Sequence, residues 1–237
     1  MKQTLPVIFT TVFLLSFSLS LYAKVPQSEA DKLGTKLTPF GSIKEGNENK
    51  TIPKWNGGIK EIPQMYEGPG KQHADPYAED KIKVIISKSN YLSYKNAIAP
   101  GQIAMFETYP DTFKMNVYPT HRSHSLPEWV IKNTKKNALT SELSAGSVGV
   151  KDAYGGISFP ILHGSSSDKA LQAMWNHMTR WRGIYMTKLF SEIAVKYNGD
   201  YSLITKRQEA YFNFYNPEGS FKSLDNILFY FLNFTES

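Results

Sequence analysis

The stretch IYMTKLFSEIAVKYNGDYSLITKRQEAYFNFY, residues 184–215, predicts a long β-hairpin. Its two halves, residues 184–197 and 201–215, are rich in Ile, Val, Tyr, Phe and Thr, with polar residues interspersed. This composition is typical of β-strands. Asn198-Gly199, which lies between the halves, is a strong signal for a two-residue turn. A third apolar run, Ile227 to Phe234, predicts one more strand.

The segment before this hairpin, residues 168–182, gives the clearest helix prediction. Its apolar residues recur at helical spacing and form one stripe, namely Leu171, Met174, Trp175, Met178 and Trp181. We expect the remaining side chains to face away from the stripe, namely Gln172, Asn176, Thr179 and Arg180. Ser167 is the expected N-cap, and Gly183 follows the last turn. The helix is expected to pack on the sheet.

The predicted elements further upstream are short. Ser28 precedes a short helix that ends at Gly34. Strands and helices are then predicted at 82–86 (strand), 89–97 (helix), 102–108 (helix), 113–117 (strand) and 128–143 (helix). Residues 146–164 are glycine-rich and are predicted to be loop. Together with the hairpin, these elements predict an α+β fold.

Residues 24–80 are rich in Gly and Pro, at a density that prevents long helices and central strands. Such a segment is either a flexible linker or an extended arm that aromatic residues attach to the rest of the protein. The arm is favoured because a linker has no need of apolar residues such as Ile52, Trp55, Ile59, Ile62 and Met65.

Residues 1–23 have the pattern of a secretory signal peptide. Lys2 supplies the positive start, Leu5 to Leu21 carries no charge, and Ala23 is a small residue at a plausible cleavage point. An uncleaved membrane anchor is the alternative, but the run is short and interrupted by polar residues. We therefore expect export to the periplasm.

Composition excludes several classes of protein. With no Cys, the chain has no disulfide framework, thiol nucleophile or Cys-ligated metal site. The net charge of +6 is spread along the chain without a basic stripe, so nucleic-acid binding is not expected. Nucleotide-binding glycine motifs are absent from the sequence. No cofactor or metal site is predicted.

The run WNHMTRWRG, residues 175–183, is the strongest candidate for a binding site. Its two indoles can stack with the neighbouring guanidinium groups, and the arginines can pair with anionic headgroups or carboxylates. The candidate ligand-binding residues are Trp175, Met178, Trp181, Arg180 and Arg182. The alternative is a core helix whose tryptophans anchor the sheet, and the sequence leaves both open.

Histidines give weaker signals. The spacing in His121-Arg122-Ser123-His124 matches no metal-ligand motif, so a polar loop is favoured there. His177 is more typical of a hydrogen-bonded structural residue than of a general base. No catalytic motif is found, and a non-enzymatic protein is expected; the alternative is an exported hydrolase with His177 or His121 as base.

Several separated motifs occur in an order that resembles a family of exported bacterial proteins, the domain-of-unknown-function family 1329, often named outer-membrane lipoprotein-sorting proteins. The quoted motifs are Leu33-Gly34, Leu37-Thr38-Pro39, Gly46-Asn47, residues 51–58 (TIPKWNGG), Asp75-Pro76-Tyr77-Ala78, Pro100-Gly101-Gln102, Tyr109-Pro110, residues 115–120 (MNVYPT), residues 153–160 (AYGGISFP) and residues 175–183. The resemblance covers nearly all of the chain after residue 23.

The resemblance implies a curved, incompletely closed antiparallel sheet, a lipoprotein-carrier-like half-barrel with covering helices. It implies a periplasmic carrier or accessory protein for lipid, lipoprotein or other hydrophobic molecules, with possible outer-membrane association. An inner-membrane exporter and an outer-membrane protein are the implied partners, and a lipid or acyl chain is the implied ligand. A scaffold module of an envelope complex, acting through the arm, is the alternative. No catalytic residues carry over from the family.

Family members are about twice as long as this chain, so the resemblance places it as an N-terminal half. The expected organisation is a signal peptide at 1–23, an arm at 24–80 and, at 81–237, the first part of the carrier-like domain. The predicted sheet ends with an edge that nothing following in the sequence covers, which agrees with a truncated domain.

Overall fold

The computed structural model describes residues 24–68, 70–71, 73–144, 146, 149–219 and 230–235. The predicted signal peptide, residues 1–23, lies outside the described residues. The start of the predicted third strand of the sheet, before Tyr230, also lies outside them.

Helices and strands alternate irregularly along the described chain. The helices are α1 (Gln27–Ala30), α2 (Pro100–Thr108), α3 (Glu128–Thr140) and α4 (Ser166–Met178), with 3₁₀ helices at Tyr91–Ala97 and Asn213–Tyr215. The strands are β1 (Val84–Ile86), β2 (Met115–Val117), β3 (Glu142–Leu143), β4 (Val150–Lys151), β5 (Tyr185–Val195), β6 (Tyr201–Tyr211) and β7 (Tyr230–Thr235). The expectation of mixed helices and strands is confirmed.

The strands form small antiparallel sheets. β1 pairs with β2, β3 pairs with β4, and the largest sheet has the order β5-β6-β7. None of these sheets closes on itself within the part of the chain that the structure describes. The predicted long hairpin therefore supplies two of the three strands of an open sheet, with β6 at its centre.

The hairpin is regular along its whole length. Its register runs from Tyr185 opposite Tyr211 to Val195 opposite Tyr201. The turn is longer than the predicted two-residue loop, because Lys196 N–H donates to Asp200 O at 2.7 Å and Gly199 N–H donates to Lys196 O at 3.0 Å. Gly199 has φ +88°, the left-handed conformation that a three-residue loop with a glycine bulge requires.

Aromatic residues from the root of the hairpin fill the main core. Phe212, Phe214 and Tyr215 are buried against Val130 of α3. Trp129 and Trp181 lie beside them, and the Trp181 ring meets the Tyr215 ring edge-to-face at 4.9 Å. Edge-to-face pairs are a favoured aromatic geometry. This cluster fixes helix α3 and the end of α4 against the sheet.

The arm, residues 24–80, lies against the segment that follows β2. The Arg122 guanidinium donates to the carbonyl oxygens of Ile43 at 2.5 Å and Lys44 at 3.0 Å. The Trp55 indole N–H donates to His124 O at 3.0 Å, and Ile59 N–H donates to Ser123 O at 2.8 Å. These contacts attach the arm through main-chain groups and one indole.

Candidate functional site

One face of the β5-β6-β7 sheet carries most of its exposed apolar side chains, together with polar ones such as Ser191, Thr205 and Arg207. Side chains alternate between the two faces of a strand, so the odd-numbered residues of β5 and their register partners share one face. Its apolar members are Tyr185, Leu189, Ile193, Val195, Tyr201, Leu203 and Leu232. We call this set the apolar sheet face.

The apolar sheet face is open to solvent. Every one of its members is more than half exposed, and the exposed fractions of Leu189 and Val195 are 65% and 73%. Burying a Leu, Ile or Val side chain is worth about 1.5–3 kcal/mol, so each of these residues forgoes a contribution of that size. A face of this kind is a candidate site for an apolar ligand or partner.

The opposite face of the sheet has a different composition. At the hairpin root, Ala210 is buried and Met186 packs against the main core. Further along, Lys206 Nζ lies 2.6 Å from the Glu192 carboxylate, and Lys188 Nζ lies 4.4 Å from the centroid of the Phe190 ring. One face of the sheet therefore packs against the core at its root, whereas the apolar side chains of the other are exposed.

The candidate aromatic and Met residues have three different environments. Trp181 belongs to the main core, with its ring 5.5 Å from that of Trp129. Trp175 is half-buried on α4, and Met178 is exposed. The structure therefore brings Trp181 into the core and does not group the three side chains around one cavity. Their ligand-binding role stays a prediction.

The two candidate arginines close the C-terminus of α4. Arg180 Nη1 donates to His177 O at 2.9 Å, and Arg182 Nη2 donates to Met178 O at 2.9 Å. The last carbonyls of a helix have no partner within the helix, and cations are favoured at this negative end of its dipole. The sequence alone did not reveal this capping arrangement.

Arg182 stacks on a phenylalanine and not on the indole beside it in sequence. Its guanidinium lies 4.9 Å from the centroid of the Phe212 ring. Its Nε is buried and has no hydrogen-bond partner among the described residues. Burial, followed by the nearby Arg180, lowers the pKa of the Arg182 guanidinium. The role of both arginines in ligand binding also stays a prediction.

The predicted orientation of α4 is wrong. Gln172 is only 3% exposed and Thr179 is buried, whereas Met174 is 57% exposed. The side of α4 that faces the protein includes a row of polar residues at positions 172, 176 and 179. The predicted apolar stripe therefore supplies only part of the buried surface of the helix. Arg180 is exposed, as expected. The predicted N-cap is also wrong, since Ser165 accepts from Asp168 N–H and forms a reciprocal capping box with it.

This polar row, which we call the amide clamp, holds the loop at residues 158–163. Gln172 accepts from His163 N–H at 2.9 Å and donates to His163 O at 3.1 Å. Asn176 makes the same pair of bonds with Phe159, at 2.8 and 2.7 Å. Thr179 Oγ1 lies 3.1 Å from Ser158 Oγ. Each amide thus satisfies both main-chain groups of one loop residue.

His121 has an acidic and an aromatic neighbour. Its Nε2 lies 2.6 Å from Asp80 Oδ2, and its ring stacks on the Tyr77 ring at 3.6 Å between centroids. The sequence showed no carboxylate close to this histidine, and the fold of the arm supplies one. His177 is exposed on α4. Within the described residues, no group of three or more His, Asp and Glu side chains is arranged to hold a metal ion.

The helices of the described segments are too short or too polar to span a lipid bilayer.

The fold and the candidate site define a class: a protein of mixed helices and strands with small open antiparallel sheets, the largest of which has exposed apolar side chains on one face. The chain belongs to the family described as protein of unknown function (DUF1329), whose family model matches residues 85–237. It is 37% identical to an uncharacterized Pseudomonas aeruginosa protein, PA3922, over 236 residues.

This alignment covers 98% of the chain and 50% of PA3922, so the chain spans about half the length of that relative. No solved structure matches the chain. The predicted family membership is therefore confirmed, and neither the family description nor the relative's name assigns an activity.

Proposed function

We propose that this protein is an exported, non-enzymatic carrier or accessory protein for lipid, lipoprotein or other hydrophobic molecules in the periplasm. The observation that carries the proposal is the apolar sheet face. Ile193, Leu203, Val195 and Tyr201 form two adjacent, exposed apolar pairs on a regular sheet, and such surfaces are typical of sites for apolar ligands.

In this proposal, the three-stranded sheet is one part of a curved, incompletely closed half-barrel whose inner surface is the apolar sheet face. Further strands would add at its free edges, as an open sheet requires. An acyl chain on the apolar face would remove the exposed Leu and Ile side chains from water. An inner-membrane exporter and an outer-membrane protein are the proposed partners.

Native mass spectrometry with lipid extraction tests the proposal. The chain and the longer PA3922 are purified from an exporting host, and bound apolar molecules are identified. Ile193→Asn places an amide on the apolar face and is expected to reduce bound lipid at least fivefold. Ala194→Asn, which lies on the opposite face of the same strand, is the matched control. Well-folded proteins of both lengths without any apolar ligand would contradict the proposal.

A scaffold module of an envelope complex is the second candidate. It is supported by the exposed Ile62 and Met65 side chains on the arm, which border a cleft of about 490 Å³. A partner that remains bound through purification and is lost after Ile62→Ser and Met65→Ser would favour this candidate. Leu92→Ser, at an exposed apolar residue outside the arm, is its control.

The hydrolase alternative is supported only by the pairing of His121 with Asp80. That pair holds the imidazole at Nε2 and one ring face stacks on Tyr77, but among the described residues no hydroxyl nucleophile is found at the other ring nitrogen, Nδ1. Ester hydrolysis by the protein, if it is lost in the His121→Ala variant, would support this alternative.

A further inference from the structure

The tip of the β5–β6 hairpin combines aromatic, apolar and basic side chains. Tyr197 is fully exposed at the apex of the turn, and Tyr201 is 66% exposed at the start of β6. Val195 lies opposite Tyr201 in the register, and Lys196 is exposed between Val195 and Tyr197. Nothing in the main core requires these four side chains, because all of them point into solvent.

This combination of side chains is suited to a particular solvent boundary. Tyrosine has an apolar ring with a polar hydroxyl end and prefers the interface between lipid tails and headgroups. Lysine extends its aliphatic stem along apolar surface and keeps its ammonium group at the level of the phosphates. Valine beside them adds a side chain that gains free energy on leaving water.

The turn holds these side chains in a fixed arrangement. Asn198 Nδ2 donates to the Asp200 carboxylate at 2.7 Å, and Asp200 N–H donates to Asn198 Oδ1 at 3.2 Å. Asp200 is thereby engaged within the turn, while no acidic partner of Lys196 is found among the described residues. The tip therefore carries the Lys196 ammonium and, within the hydrogen bonds of the turn, the Asp200 carboxylate.

The tip is continuous with the apolar sheet face. Val195 and Tyr201 are its outermost pair, followed by Ile193 opposite Leu203, and the hydrogen-bonded Ser191 and Thr205 come next. An acyl chain that leaves a bilayer at the tip would first meet the apolar side chains of these two outer pairs. This continuity is the reason to select a lipid surface, and not a soluble protein, as the partner.

We propose that the hairpin tip docks on the surface of a phospholipid bilayer, with Tyr197 and Tyr201 at the interface and Lys196 at the phosphates. This inference rests on the proposed carrier function, since it supplies the place where that carrier would exchange its ligand. It names the partner of the apolar sheet face and the end of the hairpin through which lipid enters.

The absence of Cys from the chain makes a direct test possible. Ser202→Cys places one thiol beside Tyr201 for labelling with an environment-sensitive fluorophore. Glu48→Cys, on the exposed arm, carries the same label as the control. Each labelled full chain is mixed with vesicles of phosphatidylcholine alone or of phosphatidylcholine with phosphatidylglycerol, and the emission wavelength is recorded.

The label at position 202 is expected to shift to the blue, more strongly with the anionic vesicles, while the label at position 48 stays unchanged. Tyr197→Ser with Tyr201→Ser should weaken the binding measured by the shift at least tenfold. Lys196→Gln should weaken binding to anionic vesicles about fivefold, as expected for one cation at a lipid surface. Tyr109→Ser, at an exposed tyrosine outside this sheet, should leave binding unchanged.

An unshifted label at position 202, or a shift that survives both tyrosine substitutions, would overturn the docking proposal. The outcome is separable from that of the proposed function. A shift in a chain that never carries lipid would support docking and contradict the carrier. Bound lipid in a chain whose tip label does not respond would support the carrier and contradict docking.

Discussion

A single amide side chain, that of Gln172, does much to decide which side of helix α4 faces the protein. It is buried and bonds both main-chain groups of His163. A buried main-chain group without a partner costs about 1–3 kcal/mol, which is comparable to the gain from burying one large apolar side chain. The two bonds of Gln172 and the two of Asn176 together explain why polar residues of α4, and not only its apolar stripe, face the protein.

Gln172→Met is expected to lower the free energy of unfolding by about 1–3 kcal/mol, because it keeps the volume but leaves the His163 groups unpaired. Urea unfolding followed by circular dichroism measures the change. Met174→Gln, at an exposed position two residues away, should change stability by less than about 0.5 kcal/mol. Equal effects of the two substitutions would show that the amide clamp does not hold the helix.

Tyr215 predicts how stability changes at alkaline pH. Its hydroxyl is buried and donates to Thr179 O at 2.7 Å, and burial raises the pKa of this phenol well above its usual range. In the unfolded chain it ionises near pH 10, as ordinary tyrosines do. The native state then binds more protons than the unfolded state, so stability falls as pH rises above about 10.

Tyr215 should contribute up to ~1.4 kcal/mol of this loss per pH unit. Tyr215→Phe should lower stability at pH 7 by about 0.5–1.5 kcal/mol through the lost hydrogen bond, and it should flatten the alkaline slope. Chemical denaturation between pH 8 and 11 compares the two proteins. An unchanged slope in the variant would mean that the phenol reaches solvent.

At the scale of elements, the hairpin turn is held by backbone conformation more than by contacts. An added Cβ at Gly199 would meet no atom within 4 Å, so a substitution there acts only through its φ of +88°. The same open space surrounds Gly101 in helix α2, where φ is ordinary. The two glycines therefore separate backbone strain from steric clash.

Gly199→Ala is expected to lower the free energy of unfolding by about 1–2 kcal/mol, because an L side chain is disfavoured in the left-handed region. Gly101→Ala should raise it by about 0.4–1 kcal/mol, since alanine reduces the entropy of the unfolded chain and suits a helix. Thermal unfolding of both variants checks the pair. Two shifts of the same sign would contradict this account of the turn.

The sequence predicts an element well when neighbouring residues determine its structure, and poorly when contacts with distant residues do. The β-forming composition of residues 184–197 and 201–215 and the Asn198-Gly199 turn are local signals, and they predict the hairpin well. The face of α4 is decided by hydrogen bonds to a loop that lies 9 to 21 residues earlier in the chain. A helical wheel contains no such information, so hydropathy alone selected the wrong face. The recurrence of amides at positions 172 and 176 was the available sign.

At the scale of the whole molecule, the sequence predicted some features of the arm and of the sheet but not others. The aromatic content of the arm predicted attachment, and Trp55 does donate to His124 O. The position of Arg122 under the arm was not foreseen, because residues 43 and 122 are distant in sequence. The sequence predicted the strands that carry the apolar sheet face, but its exposure is a property of the assembled structure.

Arg122→Lys is expected to loosen the arm. Arg122 donates to the oxygens of Ile43, Lys44 and Ser42, and a lysine ammonium cannot span this set. Chymotrypsin cleavage after Trp55 under native conditions should accelerate about tenfold, which corresponds to ~1.4 kcal/mol of lost attachment. Arg180→Lys, at an exposed helix end, is the control. Equal cleavage rates would mean that other contacts hold the arm.

The hydrogen bonds between Arg122 and the arm have a consequence for which substitutions the protein can tolerate during evolution. Two of its closest acceptors are main-chain oxygens, and the Ile43 side chain itself points into water. A guanidinium that binds carbonyls does not discriminate among the side chains attached to them. Positions 43 and 44 can therefore drift while the arm keeps its path, whereas position 122 can accept few replacements.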